Sequence, residues 1–469
     1  MNPSNRISRR KFIGEASCAA VGSTALFSSL LSLRMASTAA AAETGPGDDY
    51  KALVCLFLAG GNDSYNMLVP RNDAAYEEYR TTRDDLALEK SSLLDITSLG
   101  QPFTEFGLHP SMPETKELYE AGSLALIANV GTLIEPIPNR SVYSNNSRLR
   151  PSGLFSHSDQ QIHWQTSVPQ IKGAGPGGWG GRTADLLMSM NGDSKVSMNI
   201  SLNGVNVFQS GDEAFAYISG LEGGTEMVAY QDPFEKAAVD SLLEEQYKNL
   251  FTSTFAKRTR RFIDSSIAFN EAIEPIVINT PVPPTPLARR MHMVARTIAA
   301  REALGMRRQT FFVRSGGWDH HNEVINAQLV MLEEIDQAIK FLHDALMEID
   351  ALDKVILFTA SDFGRTLTSN GKGSDHAWGG NHFVMGGPVQ GGQIYGQYPS
   401  LALGSSLDTD RRNRGRLIPT TSVDEYGSEL ARWLGVSGSE METVFPNIRN
   451  FYDPATITHP VGFLNAGNA

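Results

Sequence analysis

Lys51-Ala52-Leu53-Val54-Cys55-Leu56-Phe57-Leu58-Ala59 runs without a charge after its first residue straight into Gly60-Gly61-Asn62-Asp63. A short continuous apolar run closed by glycines reads as a strand buried on both faces, feeding a tight turn. Strands of that kind belong to parallel sheets covered by helices on both sides.

The same pattern recurs along the chain. Ser123–Val130 (SLALIANV) is a second apolar run and ends at Gly131. Gln309–Arg314 is a third, leading into Gly316-Gly317-Trp318-Asp319, and Lys354–Thr359 is a fourth, leading into Ser361-Asp362-Phe363-Gly364. Between the last two, Leu329, Leu332, Ile335, Ile339, Leu342, Leu346 and Ile349 recur at helical spacing. Strands alternating with helices predict an α/β fold with a mostly parallel central sheet and helices on both faces. The middle of the chain differs. Residues 194–210 alternate as a strand would, 233–274 read as helical, and the four prolines in 276–286 demand an extended connection. Residues 192–286 are therefore expected to be an insertion on a single α/β domain spanning 43–469. A helix over Leu287–Leu304 leads back to the sheet.

The N-terminus carries different information. Ser8-Arg9-Arg10-Lys11-Phe12-Ile13 fits the twin-arginine export pattern, and a weakly apolar stretch follows to Leu33. Ala39-Ala40-Ala41-Ala42 before Glu43 offers a small-residue cleavage site, so residues 1–42 are expected to be a removable signal peptide. Gly14, Glu15, Gly22 and several serines weigh against a stable membrane anchor. This predicts export by the Tat translocase to the periplasm or the extracellular space. The whole chain carries a formal net charge of −12. Removing 1–42 takes away Arg6, Arg9, Arg10, Lys11 and Arg34 against Glu15 alone, leaving the mature chain more acidic still. Such a balance argues against nucleic acid and anionic membranes as partners. Of the two cysteines, Cys18 lies in the signal and Cys55 in a strand, so the mature chain has no internal disulfide.

Three predicted strands end in an aspartate: Asp63, Asp319 and Asp362. Ligands of open α/β sheets bind at the carboxyl ends of strands. One such aspartate is equally a turn or helix cap. Three together, with His320 and His321 after Asp319 and with His376 and His382 on the glycine-rich stretch after Asp362, point to a divalent cation. Aspartate with histidine suits zinc, manganese or iron better than calcium.

Several ordered motifs resemble the DUF1501 family: Gly60-Gly61-Asn62-Asp63, Phe155-Ser156-His157 with Trp164-Gln165, Gly178-Trp179-Gly180-Gly181-Arg182, Gly316-Gly317-Trp318-Asp319-His320-His321, Ser361-Asp362-Phe363-Gly364-Arg365-Thr366, Asp375-His376 and Leu430-Ala431-Arg432-Trp433-Leu434-Gly435. The resemblance implies an alkaline phosphatase-like fold, shared with sulfatases and phosphomutases. It also implies a metal site from Asp63, Asp319, His321, Asp362 and His376, with His382 the alternative to His376 and His320 ranked below His321. It implies a nucleophilic hydroxyl at a helix start. Ser156 fits best, with Ser141, Ser158 and Ser64 as competitors, and a helix cap is the competing role for Ser156. Arg182 and Arg365 are expected to grip an anion or to be structural; His157 and His163 read as core or surface residues. Phe363 stands where the superfamily has a histidine ligand. That substitution predicts one well-held ion at Asp319, His321 and His376, with Asp63 and Asp362 bridging to a weak second site. The sulfatase Cys-x-Pro-x-Arg and Ser-x-Pro-x-Arg patterns are missing, which argues against formylglycine chemistry. The expected function is an exported metal-dependent hydrolase of phosphate or sulfate esters, acting on an anionic small molecule or polysaccharide. The alternative is a binding or assembly protein that keeps the fold with little or no catalysis.

Overall fold

The structure is a computed structural model that describes residues 49–173, 175–224 and 227–465; the twin-arginine segment and Cys18 lie outside them. From Tyr50 onward the chain forms one compact unit. Its strands are β1 (Lys51–Ala59), β2 (Leu68–Pro70), β3 (Leu94–Thr97), β4 (Glu105–Leu108), β5 (Leu124–Gly131), β6 (Asn199–Ser201), β7 (Tyr217–Ile218), β8 (Arg308–Gly316), β9 (Val355–Ser361), β10 (Gly380–Met385), β11 (Ile394–Gly396) and β12 (Thr421–Ser422).

Among the described residues, nine of these form the main sheet, in the order β11-β5-β10-β9-β1-β8-β6-β7 with β12 also on β5. β1 pairs in parallel with both β8 and β9, and β6, β7, β11 and β12 also pair in parallel. Only β10 runs antiparallel, between β5 and β9. The four apolar runs thus become the sheet's central and near-central strands, and the mostly parallel α/β reading holds.

Both faces are covered. Cys55 and Phe57 of β1 pack beside Trp164, Trp179 and Tyr426, which come from the helices His157–Thr166, Trp179–Leu187 and Val423–Leu434. The alternate residues Val54, Leu56 and Leu58 are equally buried. Helices Pro286–Ala299 and Val324–Glu348 pack on one another, burying Met291, Val294 and Ile298 with Leu332, Ile335 and Leu342. A small antiparallel sheet, β2-β4-β3, was not apparent in the sequence.

The mid-chain segment is joined to the main sheet more closely than an insertion need be. Its residues supply β6 and β7 at the sheet edge, although the expected long strand over 194–210 shrinks to three residues. Its helical part forms as Pro233–Glu244 and Leu250–Ile273, each capped by a side chain, Asp232 and Asn249.

Register decides where chemistry can occur. Ala59 of β1 stands opposite Gly316 of β8, and Leu58 opposite Ser361 of β9. The three strands therefore end level, and the turns carrying Asp63, Asp319 and Asp362 leave from one edge.

Candidate metal centre

The turn after β1 is held by backbone geometry that only glycine accommodates readily. Gly60 and Gly61 have φ of +124° and +85°. A Cβ on Gly60 would lie 2.5 Å from the Asp319 backbone nitrogen, and one on Gly61 would lie 2.6 Å from the Phe363 ring. The three turns are thus interlocked at van der Waals contact.

Arg365 fastens them. Fully buried, it donates from Nε to the Gly61 carbonyl at 2.9 Å, from Nη1 to the Ser374 carbonyl at 3.0 Å, and from Nη2 to the carbonyls of Gly60 and Trp318. Nη2 also reaches Asp319 Oδ1 at 2.5 Å. Partial burial alone would raise the pKa of the Asp319 carboxyl, but the guanidinium outweighs it and the net shift is downward.

Around Asp319 three imidazoles gather. Its Oδ1 lies 3.3 Å from His157 Nε2, 3.0 Å from His321 Nε2 and 3.5 Å from His376 Nε2. His321 and His376 face each other through their Nε2 atoms at 3.0 Å. One ligand atom from each of His157, Asp319 and His376 falls within 4.8 Å of the others.

The outward nitrogens of two rings are already committed. His157 Nδ1 meets Asp362 Oδ2 at 2.7 Å, and the hydrogen bond to Asp362 holds its pKa above the ordinary histidine value. His376 Nδ1 meets the Phe155 carbonyl oxygen at 2.7 Å and must donate to it; burial lowers the pKa of this ring. Both rings are thereby turned so that Nε2 faces Asp319. His157 Nε2 is buried without a hydrogen-bond partner. A metal-binding histidine ordinarily has this form, with the far nitrogen fixed by a carboxylate or carbonyl and the near one left as a lone pair. The donor set therefore fits a divalent cation, and two imidazoles with a carboxylate suit zinc.

Phe363 lies among these rings. Its centroid is 4.8 Å from that of His157 and 4.6 Å from that of His376. The substitution expected to cost a ligand instead supplies an apolar wall that fixes the two ring planes.

The other expected site residues divide clearly. Asp362 contributes no free oxygen to the trio: Oδ1 accepts from the Gly60 amide at 3.1 Å, and Oδ2 takes both His157 and Gln161. It positions His157 rather than standing as a ligand. Asp63 commits one oxygen elsewhere: Arg83 Nη2 donates to its Oδ2 at 2.7 Å with both side chains fully buried, and Ser374 Oγ donates to the same atom at 3.0 Å, while Oδ1 is buried without a partner. It does not join the group formed by His157, Asp319 and His376.

Ser156 caps the helix His157–Thr166, its Oγ accepting from the Asp159 amide and lying 3.1 Å from Ser158 Oγ. Ser64 accepts from the Asn381 amide in the core, and Ser141 is exposed. Arg182 spends its guanidinium on the carbonyls of Thr166, Gly177 and Val444, far from any anion-gripping role, and burial lowers its pKa to about 10. His382 is a core residue packed on Trp164, and burial drives its pKa to about 3. His163 bonds Gln160 and the Ile171 carbonyl, a structural part. His320 is buried beside the site but joins no ligand group.

Sequence reasoning underrated His157. Its signal was present: it opens a helix one residue past the capping serine, four residues before Gln161, so both reach Asp362 from one face. Asp375 also went unassigned; its Oδ1 lies 3.4 Å from His321 Nδ1, and its Oδ2 accepts from Arg414 at 2.5 Å.

A comparison with curated proteins finds no match. Two solved structures are similar to this chain, Ps i-CgsB in complex with k-i-k-neocarrahexaose and Ps i-CgsB alone, at 11% and 10% identity. Each likeness covers 86% of this chain and 77% of that chain with a TM-score of 0.34. Residues 50–420 match the family described as Protein of unknown function (DUF1501), and the chain belongs to that family.

Proposed function

We propose that this chain is an exported, metal-dependent hydrolase of phosphate or sulfate esters with an alkaline phosphatase-like fold. One observation carries the reading: His157 and His376, each fixed at Nδ1 by an acceptor, turn their Nε2 atoms toward Asp319. Asp319, His157 and His376 would hold the ion, with His321 beside them. A divalent cation held there supplies Lewis acidity toward the oxygen of an anionic ester.

The chain's own residues do the rest. Arg365 keeps Asp319 ionised and aimed, and Asp362 keeps the His157 ring turned inward. Phe363 excludes water from one side of the ring pair. Ser156 is engaged as a helix cap and touches none of the trio, which favours water over the serine as the attacking group. Asp375, 3.4 Å from His321 Nδ1, is placed to orient the His321 ring.

The test is turnover of p-nitrophenyl phosphate and p-nitrophenyl sulfate by the purified chain after chelation and after reloading with zinc or manganese. Hydrolysis restored by metal and lost in His376→Ala supports the reading. Metal binding without turnover of either ester would favour the alternative, a non-catalytic binding or assembly protein.

A further inference from the structure

An acidic protein concentrates arginine beside this site. The run Arg411-Arg412-Asn413-Arg414-Gly415-Arg416 and the stretch holding Arg140, Arg148 and Arg150 are separated by more than 250 residues in sequence. The fold joins them: Arg140 Nη1 donates to Asn413 Oδ1 at 2.6 Å, and its Nη2 donates to the Asp410 carbonyl at 3.1 Å. Beneath them lies a small separate core of Leu133, Ile137, Trp378 and Ile418, on which Tyr143 and Phe155 pack.

Some of the positive charge is cancelled locally. Arg414 pairs with Asp410 and Asp375, Arg148 pairs with Glu135, and Asp408 is buried on backbone amides. Arg150, Arg411 and Arg412 remain. They are exposed, and among the described residues none of the three forms an ion pair. Two arginines lie on aromatic rings, Arg150 over Tyr143 at 4.8 Å and Arg416 over Phe155 at 4.2 Å.

This patch is continuous with the metal centre. Phe155 gives its carbonyl to His376, and Asp375, the residue before it, holds Arg414. Exposed cations alternating with aromatic faces suit a chain of rings bearing spaced anionic groups. A compact ester would need no such extension.

We propose that the surface formed by Arg150, Arg411 and Arg412 with Tyr143 and Phe155 binds an anionic polysaccharide and leads it to the Asp319 cluster. This rests on the hydrolase reading for its purpose, but binding can be measured without turnover. Fluorescein-labelled dextran sulfate serves as the probe, titrated by anisotropy against the full chain at low and at physiological salt. Saturable, salt-sensitive binding is expected, with none to unsulfated dextran. The triple variant Arg150→Ala/Arg411→Ala/Arg412→Ala should bind about tenfold more weakly or worse. It should fold normally, because none of the three makes a bond in the core.

Unchanged affinity in the triple variant, no binding by the parent, or tighter binding to single-stranded DNA of equal charge would each overturn the proposal. Turnover of small esters without dextran sulfate binding means that the platform fails and the hydrolase stands. Binding without turnover means the converse.

Discussion

At the residue scale, the proposed centre depends on side chains outside the ligand trio. Asp362 is the clearest case: three groups converge on its two oxygens, and His157 is one of them. Asp362→Ala should leave the trio in place but free the His157 ring to rotate. Metal affinity should then fall about 10–100-fold, measured by competition with a zinc chelator. An unchanged affinity would mean that packing against Phe363 suffices to orient the ring. Ser156 offers a contrasting test. As a cap, Ser156→Ala should cost about 1 kcal/mol in urea unfolding and leave turnover within a few-fold. Loss of all turnover with little loss of stability would make it the nucleophile.

At the element scale, strand ends and helix starts carry most of the design. The apolar runs of β1, β5, β8 and β9 were legible because a doubly buried strand has a simple signature, and the aspartates just after three of them followed at once. Two things were not legible. β6 and β7 are too short to show a period, and nothing local marks them as additions to the main sheet. Nor does local sequence say that Asp63 will meet Arg83, twenty residues on, in the interior. The partners of Asp63 and Asp362 were not legible for one reason: a carboxylate's place at a strand end is written in the chain, but its partners are not.

The helix Val423–Leu434 gives this scale its own prediction. Asp424, in its first turn, is fully buried, accepts from Ser167 Oγ at 2.7 Å and leaves Oδ1 unpartnered. Burial raises its pKa to about 7. The unfolded chain releases that proton near pH 4. The folded chain therefore holds a proton that the unfolded one has lost, and stability declines as pH rises from about 4 to 7, remaining low above that. Asp424→Asn keeps an acceptor for Ser167 and should remove the decline, gaining on the order of 2–4 kcal/mol at pH 8 and almost nothing at pH 4. Parallel stability–pH curves for parent and variant would refute this.

At the scale of the whole molecule, the proposal is that the chain is exported. Among the described residues no helix is long and apolar enough to cross a membrane. The export claim rests on Arg9 and Arg10. Replacing both with lysine should leave unprocessed precursor in the cytoplasm, seen by fractionation and immunoblot; normal processing would contradict it. The central claim is the metal centre, and elemental analysis after mild chelation and zinc reloading tests it most directly. About one equivalent per chain is predicted for the parent, falling to near zero in His157→Ala and in His376→Ala, both still folded by circular dichroism. Near zero in the parent, near two in the parent, or full occupancy in His157→Ala would contradict the account.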